Sequence, residues 1–444
     1  MNTPIYDFLT QYNNSDTLRC HMPGHKGKSP DGAMQELYGL DITEIKGADS
    51  LFEADGIIAQ SERNMSALYG SEAAVYSAGG STLCIQAMLA IMKQEGRKVF
   101  AVRNVHRAFL NAAALLGIDV EWIMPEYSGG ILSGSIDAEK VREALSGAEN
   151  AALYVTSPDY TGKMADIAAL AKVCHSVGAR LIVDNAHGAH LAFFEENIHP
   201  IALGADLCCD SAHKMLPAFT GAAMLHTSRK EYADRLKGAM GLFGSTSPSY
   251  LVMASLDLCS KYISEHIRDD LKENVRLCKR LRERFSGKLI FADGEPLHIT
   301  VKAYESGYDG IEIADFLRSK GIECEYADSE LVVLLMSPMS EKSDYDRLES
   351  ALDEAVGSLK KCGQREELEF KMKLPKKAMS IREAVFSPSE ETDIENAEGR
   401  ICGAVNVPCP PAVPIAASGE IIDRECINMF KRYGIKTVNT VVDK

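Results

Sequence analysis

The stretch Cys208-Cys209-Asp210-Ser211-Ala212-His213-Lys214-Met215-Leu216-Pro217 decides how this chain is read. An apolar segment ends there in small and polar residues, and a lysine follows a histidine just before a proline that stops any long helix. Lysine is costly to bury and its charge is usually left in water. A lysine held between apolar segments therefore needs a chemical reason. Ser-x-His-Lys alone is a weak signal, and a solvated loop lysine is its commoner explanation. The flanking sequence separates the two.

Working outward, strand and helix signals alternate. Short apolar runs at 73–76, 98–102, 120–123, 151–155, 180–183 and 207–209 read as strands. Helical patterns at 83–93, from 108, near 137–146 and near 166–177 separate them, and 218–226 reads as one more strand. Such alternation implies βαβ units and a three-layer, mainly parallel sheet. In such sheets ligands bind beyond the carboxyl ends of the strands. His106, Thr156, Asp184 and Lys214 all fall at those ends.

Composition bounds the rest. The 444 residues are 46% hydrophobic and 25% charged, as in an ordinary globular protein, and are too many for one core. A formal charge of -15 argues against nucleic acid, which wants a basic surface. No basic and apolar leader is read at the N-terminus, and no apolar run approaches membrane-spanning length. The 12 cysteines are scattered without a repeated short spacing, so free thiols in a reducing cytoplasm are expected. Cys20, His21 and His25 lack a partner cluster at zinc spacing, and no metal is expected.

Two local features carry chemistry. The strand at 73–76 runs into Ser77-Ala78-Gly79-Gly80-Ser81-Thr82 and then a helix. Free backbone N–H groups, the helix dipole and hydroxyls at such a turn suit an anion, although an ordinary Ser/Thr-capped helix needs the same residues. Leu181-Ile182-Val183 ends in Asp184-Asn185-Ala186-His187-Gly188-Ala189-His190. A carboxylate at a buried strand end must be paired or ligated; it can also cap the next turn. A metal held by Asp184, His187 and His190 is the competing reading, but Lys214 and the anion turn favour an organic cofactor.

Together these parts suit pyridoxal phosphate. Gly80, Ser81 and Thr82 would hold the phosphate, and Asp184 would keep the pyridine nitrogen protonated. His106 would stack on the ring, and Lys214 would carry it through a Schiff base. Ser211 and His213 are further phosphate donors, and His187 joins the cofactor-contacting set.

The sequence resembles the fold-type I pyridoxal-phosphate enzymes, and within them the ornithine/lysine/arginine decarboxylase family in its short form, without a receiver-like N-terminal domain. The likeness is carried by His21-Met22-Pro23-Gly24-His25-Lys26-Gly27, Gly56-Ile57-Ile58-Ala59-Gln60, Asp184 to His190 and Ser211 to Gly221. It implies an aminotransferase-like fold with an N-terminal arm (1–45), a large cofactor domain (46–285), a small α/β domain (286–362) and a C-terminal domain (363–444). It implies α-decarboxylation of arginine, lysine or ornithine to a di- or polyamine. Ser245 and Thr246 look like the segment that reaches a neighbouring subunit's phosphate, in a homodimer or higher homo-oligomer with no nucleic-acid or membrane partner. Asn185 stands where an acidic residue is common, and Cys409-Pro410-Pro411-Ala412-Val413-Pro414 departs from the usual proline motif. Glu420, Asp49 and Asp159 are candidates to meet the substrate's distal cation. An aminotransferase or Cys/Ser lyase would share the cofactor residues, with Arg318 or Arg400 as a carboxylate clamp; a cofactor-binding protein without activity is the remaining alternative.

Overall fold

A computed structural model describes residues 1–127, 130–362, 372–404 and 413–442. The quoted segment 409–412 therefore lies outside the described residues. The large sheet has seven strands: β1 (Ala73–Ser77), β2 (Lys98–Val102), β3 (Val120–Ile123), β4 (Ala151–Thr156), β5 (Arg180–Asp184), β6 (Leu207–Asp210) and β7 (Ala223–Thr227). The chain divides into two compact units, one made of 1–96, 167–175 and 180–270, the other of 97–166, 176–179 and 271–444.

In the first unit the strand order is β1-β7-β6-β5. β5 and β6 are parallel, pairing Asp184 with Cys209, while β7 is antiparallel to both β6 and β1. Every residue of β6 and β7 is buried, as expected of strands covered on both faces. β7 starts at Ala223, five residues later than the apolar pattern suggests, because Gly221 turns the chain at φ +92°. The helix Gly80–Gln94 follows β1 and already includes the predicted turn residues 80–82 in its first turn. The helix Ile57–Tyr69 stops at Gly70, which takes the left-handed conformation. Its start is capped from a distance. Asp49, at φ +70°, accepts N–H groups from Ser50, Asp55, Gly56, Ile58 and Ala59 at 2.9–3.3 Å. Partial burial opposes ionisation of Asp49, but these bonds hold its carboxyl below the usual range. The N-terminal helix Pro4–Asn13 docks through Asp257, whose carboxylate accepts the Ile5 and Tyr6 N–H groups at 2.8 and 3.1 Å.

In the second unit β4, β2 and β3 run parallel in that order. The smaller sheet pairs β8 (His298–Lys302), β9 (Tyr326–Ala327) and β10 (Leu331–Leu335) with β10 in the middle. Helices Gly310–Ser319 and Lys342–Ser358 accompany it. The stretch 250–284, which opens in the first unit, is two helices, Tyr250–Glu265 and Ile267–Arg284, with His266 off helical geometry between them. The C-terminal segment adds a two-stranded ribbon, Ser389–Asp393 with Thr437–Val441. Its core gathers Ile394, Ile415, Ile422, Ile427 and Phe430 with Ile131 and Leu132.

Candidate active site

Three strand ends of the first unit bring the predicted side chains together. Asp184 ends β5, is 2% exposed, and uses Oδ1 to accept the Ala186 N–H at 3.2 Å and the Cys209 thiol at 3.6 Å. The turn-capping role considered from sequence is thus real, and it fixes the carboxylate at the strand end. Lys214 follows β6 on a single helical turn, Ala212–Met215, and is half-buried. Its Nζ lies 2.9 Å from His187 Nε2, which the turn after β5 delivers. Ser211 Oγ donates to Ser81 Oγ at 2.9 Å, joining the start of the lysine turn to the start of the helix after β1. His213 Nδ1 is 3.0 Å from the Ala222 carbonyl, and Thr82 is exposed on the first turn of that helix.

The donor set at this helix start suits a phosphate. Gly79 at the N-cap offers no side-chain cap, no acidic residue stands in the first turn, and Gly80 is at φ +69° with open space where a Cβ would be. The first N–H groups of a helix have no intrahelical partners; here the Gly80 N–H donates to the Gly221 carbonyl at 2.8 Å, and the Ser81 hydroxyl in the same turn is joined to that of Ser211. An amine for an aldehyde, a buried carboxylate for a cationic ring nitrogen and hydroxyls for a phosphate make up the chemistry of pyridoxal phosphate. The residues present fit the group.

In the second unit His106 stands after β2 and caps the helix Arg107–Leu116, its Nδ1 accepting the Ala108 N–H at 3.1 Å. Three residues earlier Arg103 is fully buried and donates to Glu420 Oε2 at 2.7 Å, with its guanidinium 4.7 Å from the Trp122 ring centre. Glu420 also accepts the Ala417 N–H at 2.7 Å. Burial pushes the Glu420 carboxyl up, and Arg103 offsets this only in part. Glu420 is therefore committed to holding the C-terminal segment. Asp159 is likewise engaged, accepting the N–H groups of Thr161 and Lys163 and the Thr161 hydroxyl. With Asp49 bound by backbone, all three acids considered for the distal cation are satisfied within the chain. Glu420→Gln is expected to cost about 3–5 kcal/mol, because it leaves Arg103 uncompensated in the interior. Denaturant unfolding measures this, and a loss under about 1 kcal/mol, the range of exposed pairs, would contradict it.

Arg318 and Arg400, considered as carboxylate clamps, hold Glu323 with Asp315 and Glu390 respectively. The Arg103–Glu420 pair, 317 residues apart, has no local signature; the one available signal is an arginine directly after an apolar strand. Ser245 and Thr246 lie on an exposed loop, where Ser245 Oγ accepts the Ser247 N–H at 3.1 Å.

The mainly parallel sheet, with an amine, a carboxylate and a phosphate-type cradle at its strand ends, defines a fold-type I pyridoxal-phosphate enzyme. Residues 3–304 match the family described as Orn/Lys/Arg decarboxylase, major domain, and the chain belongs to that family. It is 28% identical over 457 residues to an arginine decarboxylase of Bacillus subtilis, covering 97% of this chain and 93% of that one. It is 27% identical over 446 residues to an arginine decarboxylase of Halalkalibacterium halodurans, covering 95% and 91%. In three dimensions it resembles the crystal structure of the Francisella novicida lysine decarboxylase LdcF, with a TM-score of 0.80 at 16% identity over 99% of this chain and 81% of that chain. The chain is a pyridoxal-phosphate-dependent decarboxylase of a basic amino acid.

Proposed function

We propose that arginine is the substrate and that Lys214, Asp184 and His106 carry the reaction. The similarity to arginine decarboxylases along nearly their whole length supports the choice of substrate. The single observation behind the residue roles is the 2.9 Å approach of Lys214 Nζ to His187 Nε2 in the unit that also carries buried Asp184. In this reading Lys214 Nζ would be the cofactor's covalent anchor, Asp184 would hold a proton on the ring nitrogen, and His106 would be the ring's stacking partner. Gly80, Ser81, Thr82, Ser211 and His213 would hold the phosphate, and His187 would orient the lysine amine. Pyridoxal phosphate, when bound, supplies a sink for the electron pair left at Cα as carbon dioxide departs. Lys214 Nζ or the His106 ring then returns a proton to that carbon. No role in contacting the distal guanidinium is assigned to Glu420, Asp49 or Asp159, whose carboxylates are engaged elsewhere.

We further infer a division into an arm (1–45), a large cofactor domain (46–285), a small domain (286–362) and a C-terminal domain (363–444). The exposed loop with Ser245 and Thr246 supports a homodimer in which each copy completes its partner's phosphate site. Every described cysteine is a free thiol, which supports a cytoplasmic place in polyamine formation. Among the described residues no helix is long and apolar enough to cross a membrane.

Release of labelled carbon dioxide from carboxyl-labelled arginine, lysine and ornithine tests the substrate. Arginine is expected to give a kcat/KM at least about tenfold above the others, as a differently placed charged end group is discriminated by a polar pocket. Preference for lysine or ornithine would overturn the choice of arginine, and amino transfer to a keto acid without gas release would overturn decarboxylation itself.

A further inference from the structure

Next to Asp184 lies a buried polar set that the reaction above leaves unused. Asp210, the last residue of β6, is 0% exposed. Its Oδ1 accepts the Asn185 amide at 2.6 Å, and its Oδ2 lies 3.0 Å from His199 Nε2. His226 Nε2, on β7, is 3.3 Å from the same oxygen but not aligned as a hydrogen bond, and burial pushes the pKa of this ring down. The Tyr69 ring stands edge-on to His199, and its hydroxyl donates to the Ala189 carbonyl at 2.6 Å. The segment from Asn185 to Ala189 is thus held at both ends by one buried network. That segment begins directly after Asp184 and delivers His187 to Lys214.

The turn closes tightly on the Asn185 side chain. A Cβ at Gly188 would lie 2.0 Å from Asn185 Oδ1, and the Gly188 N–H donates to the Asn185 carbonyl at 2.8 Å. Burial opposes ionisation of Asp210, but His199 and His226 hold its carboxyl well below the usual range. Cys208 Sγ lies 3.8 Å from Asp210 Oδ1, and burial keeps the proton on that thiol. The Asp210 carboxylate is therefore enclosed by the Asn185 amide, the His199 ring and the Cys208 thiol. The neutral member of the pair is Asn185 and the charged member is Asp210. Two carboxylates at this spacing would compete for one proton.

We propose that Asn185 and Asp210 act as an amide–carboxylate pair that positions Asp184 and His187 for the cofactor, with Asp210 as the charged member and the His199 ring against its second oxygen. The proposal rests on the assignment of Asp184 and Lys214 to the cofactor. Asn185 and Asp210 are positioning residues that reach the cofactor only through their neighbours.

A charge exchange tests it. Apo- and holoprotein of the wild type, Asn185→Asp, Asp210→Asn and the double exchange are compared for cofactor dissociation constant, kcat, KM and apoprotein melting. Each single variant is expected to weaken cofactor binding and kcat by about tenfold or more, and the double exchange to recover to within about threefold of the wild type. KM for arginine should move less than kcat. Additive losses in the double exchange, or single variants that match the wild type, would overturn the proposal. Losses that follow apoprotein melting without a recovery in cofactor affinity would overturn it too. Should Asn185→Asp not fold, the double exchange decides alone: cofactor binding near the wild-type level supports the pair, and failure to fold or bind refutes it. A wild type that binds cofactor at another lysine would instead defeat the reading of the site.

Discussion

Lys214→Ala is expected to lower kcat by about 10⁴-fold or more, because it removes both the covalent anchor for the cofactor and a group that can protonate Cα. The fold should survive. Lys214 is half-buried on one helical turn, and its neighbours Ala212 and Met215 supply the packing there. His187 keeps its place through the turn that starts at Asn185. The purified variant should therefore melt within a few degrees of the wild type while losing both the absorption of bound cofactor and gas release. Activity above a tenth of the wild type in a cofactor-loaded preparation would remove Lys214 from its assigned role.

The second large effect is at Asp184. Asparagine has the same shape and can still accept the Ala186 N–H and the Cys209 thiol through Oδ1, so the turn at the end of β5 is preserved. What disappears is the negative charge in a site where Asp184 is 2% exposed and water screens little. kcat is expected to fall by about 10²–10³-fold, the scale of losing one preorganised electrostatic partner, with melting nearly unchanged. Steady-state rates with cofactor in excess measure this. Wild-type kcat in Asp184→Asn would show that the carboxylate serves only the turn.

Much of this was legible in the sequence, for a physical reason. Strands buried on both faces read as apolar runs, and the chemistry sits where those runs stop, so the positions of Asp184, Ser211 and Lys214 follow from local pattern alone. The turn after β1 was legible too, though Ser81 and Thr82 prove to be inside the helix rather than before it. Position 266 was not: nothing in a run of good helix formers announces that His266 departs from helical geometry. The late start of β7 was hidden because Ala222 and Ala223 pattern alike on either side of the Gly221 turn. Pairings across the fold were the least legible. Glu420 looked like a free carboxylate until Arg103 was found against it, and Asp210 stood in the deciding stretch without a role. A buried strand ending in a charged residue was the available signal, since such a residue needs a partner that sequence does not name.

Borohydride reduction of the holoprotein, followed by digestion and mass spectrometry, tests the central claim most directly. The cofactor is expected on the peptide containing Lys214 and on no other. Its recovery on a different lysine, or on none, would contradict the account.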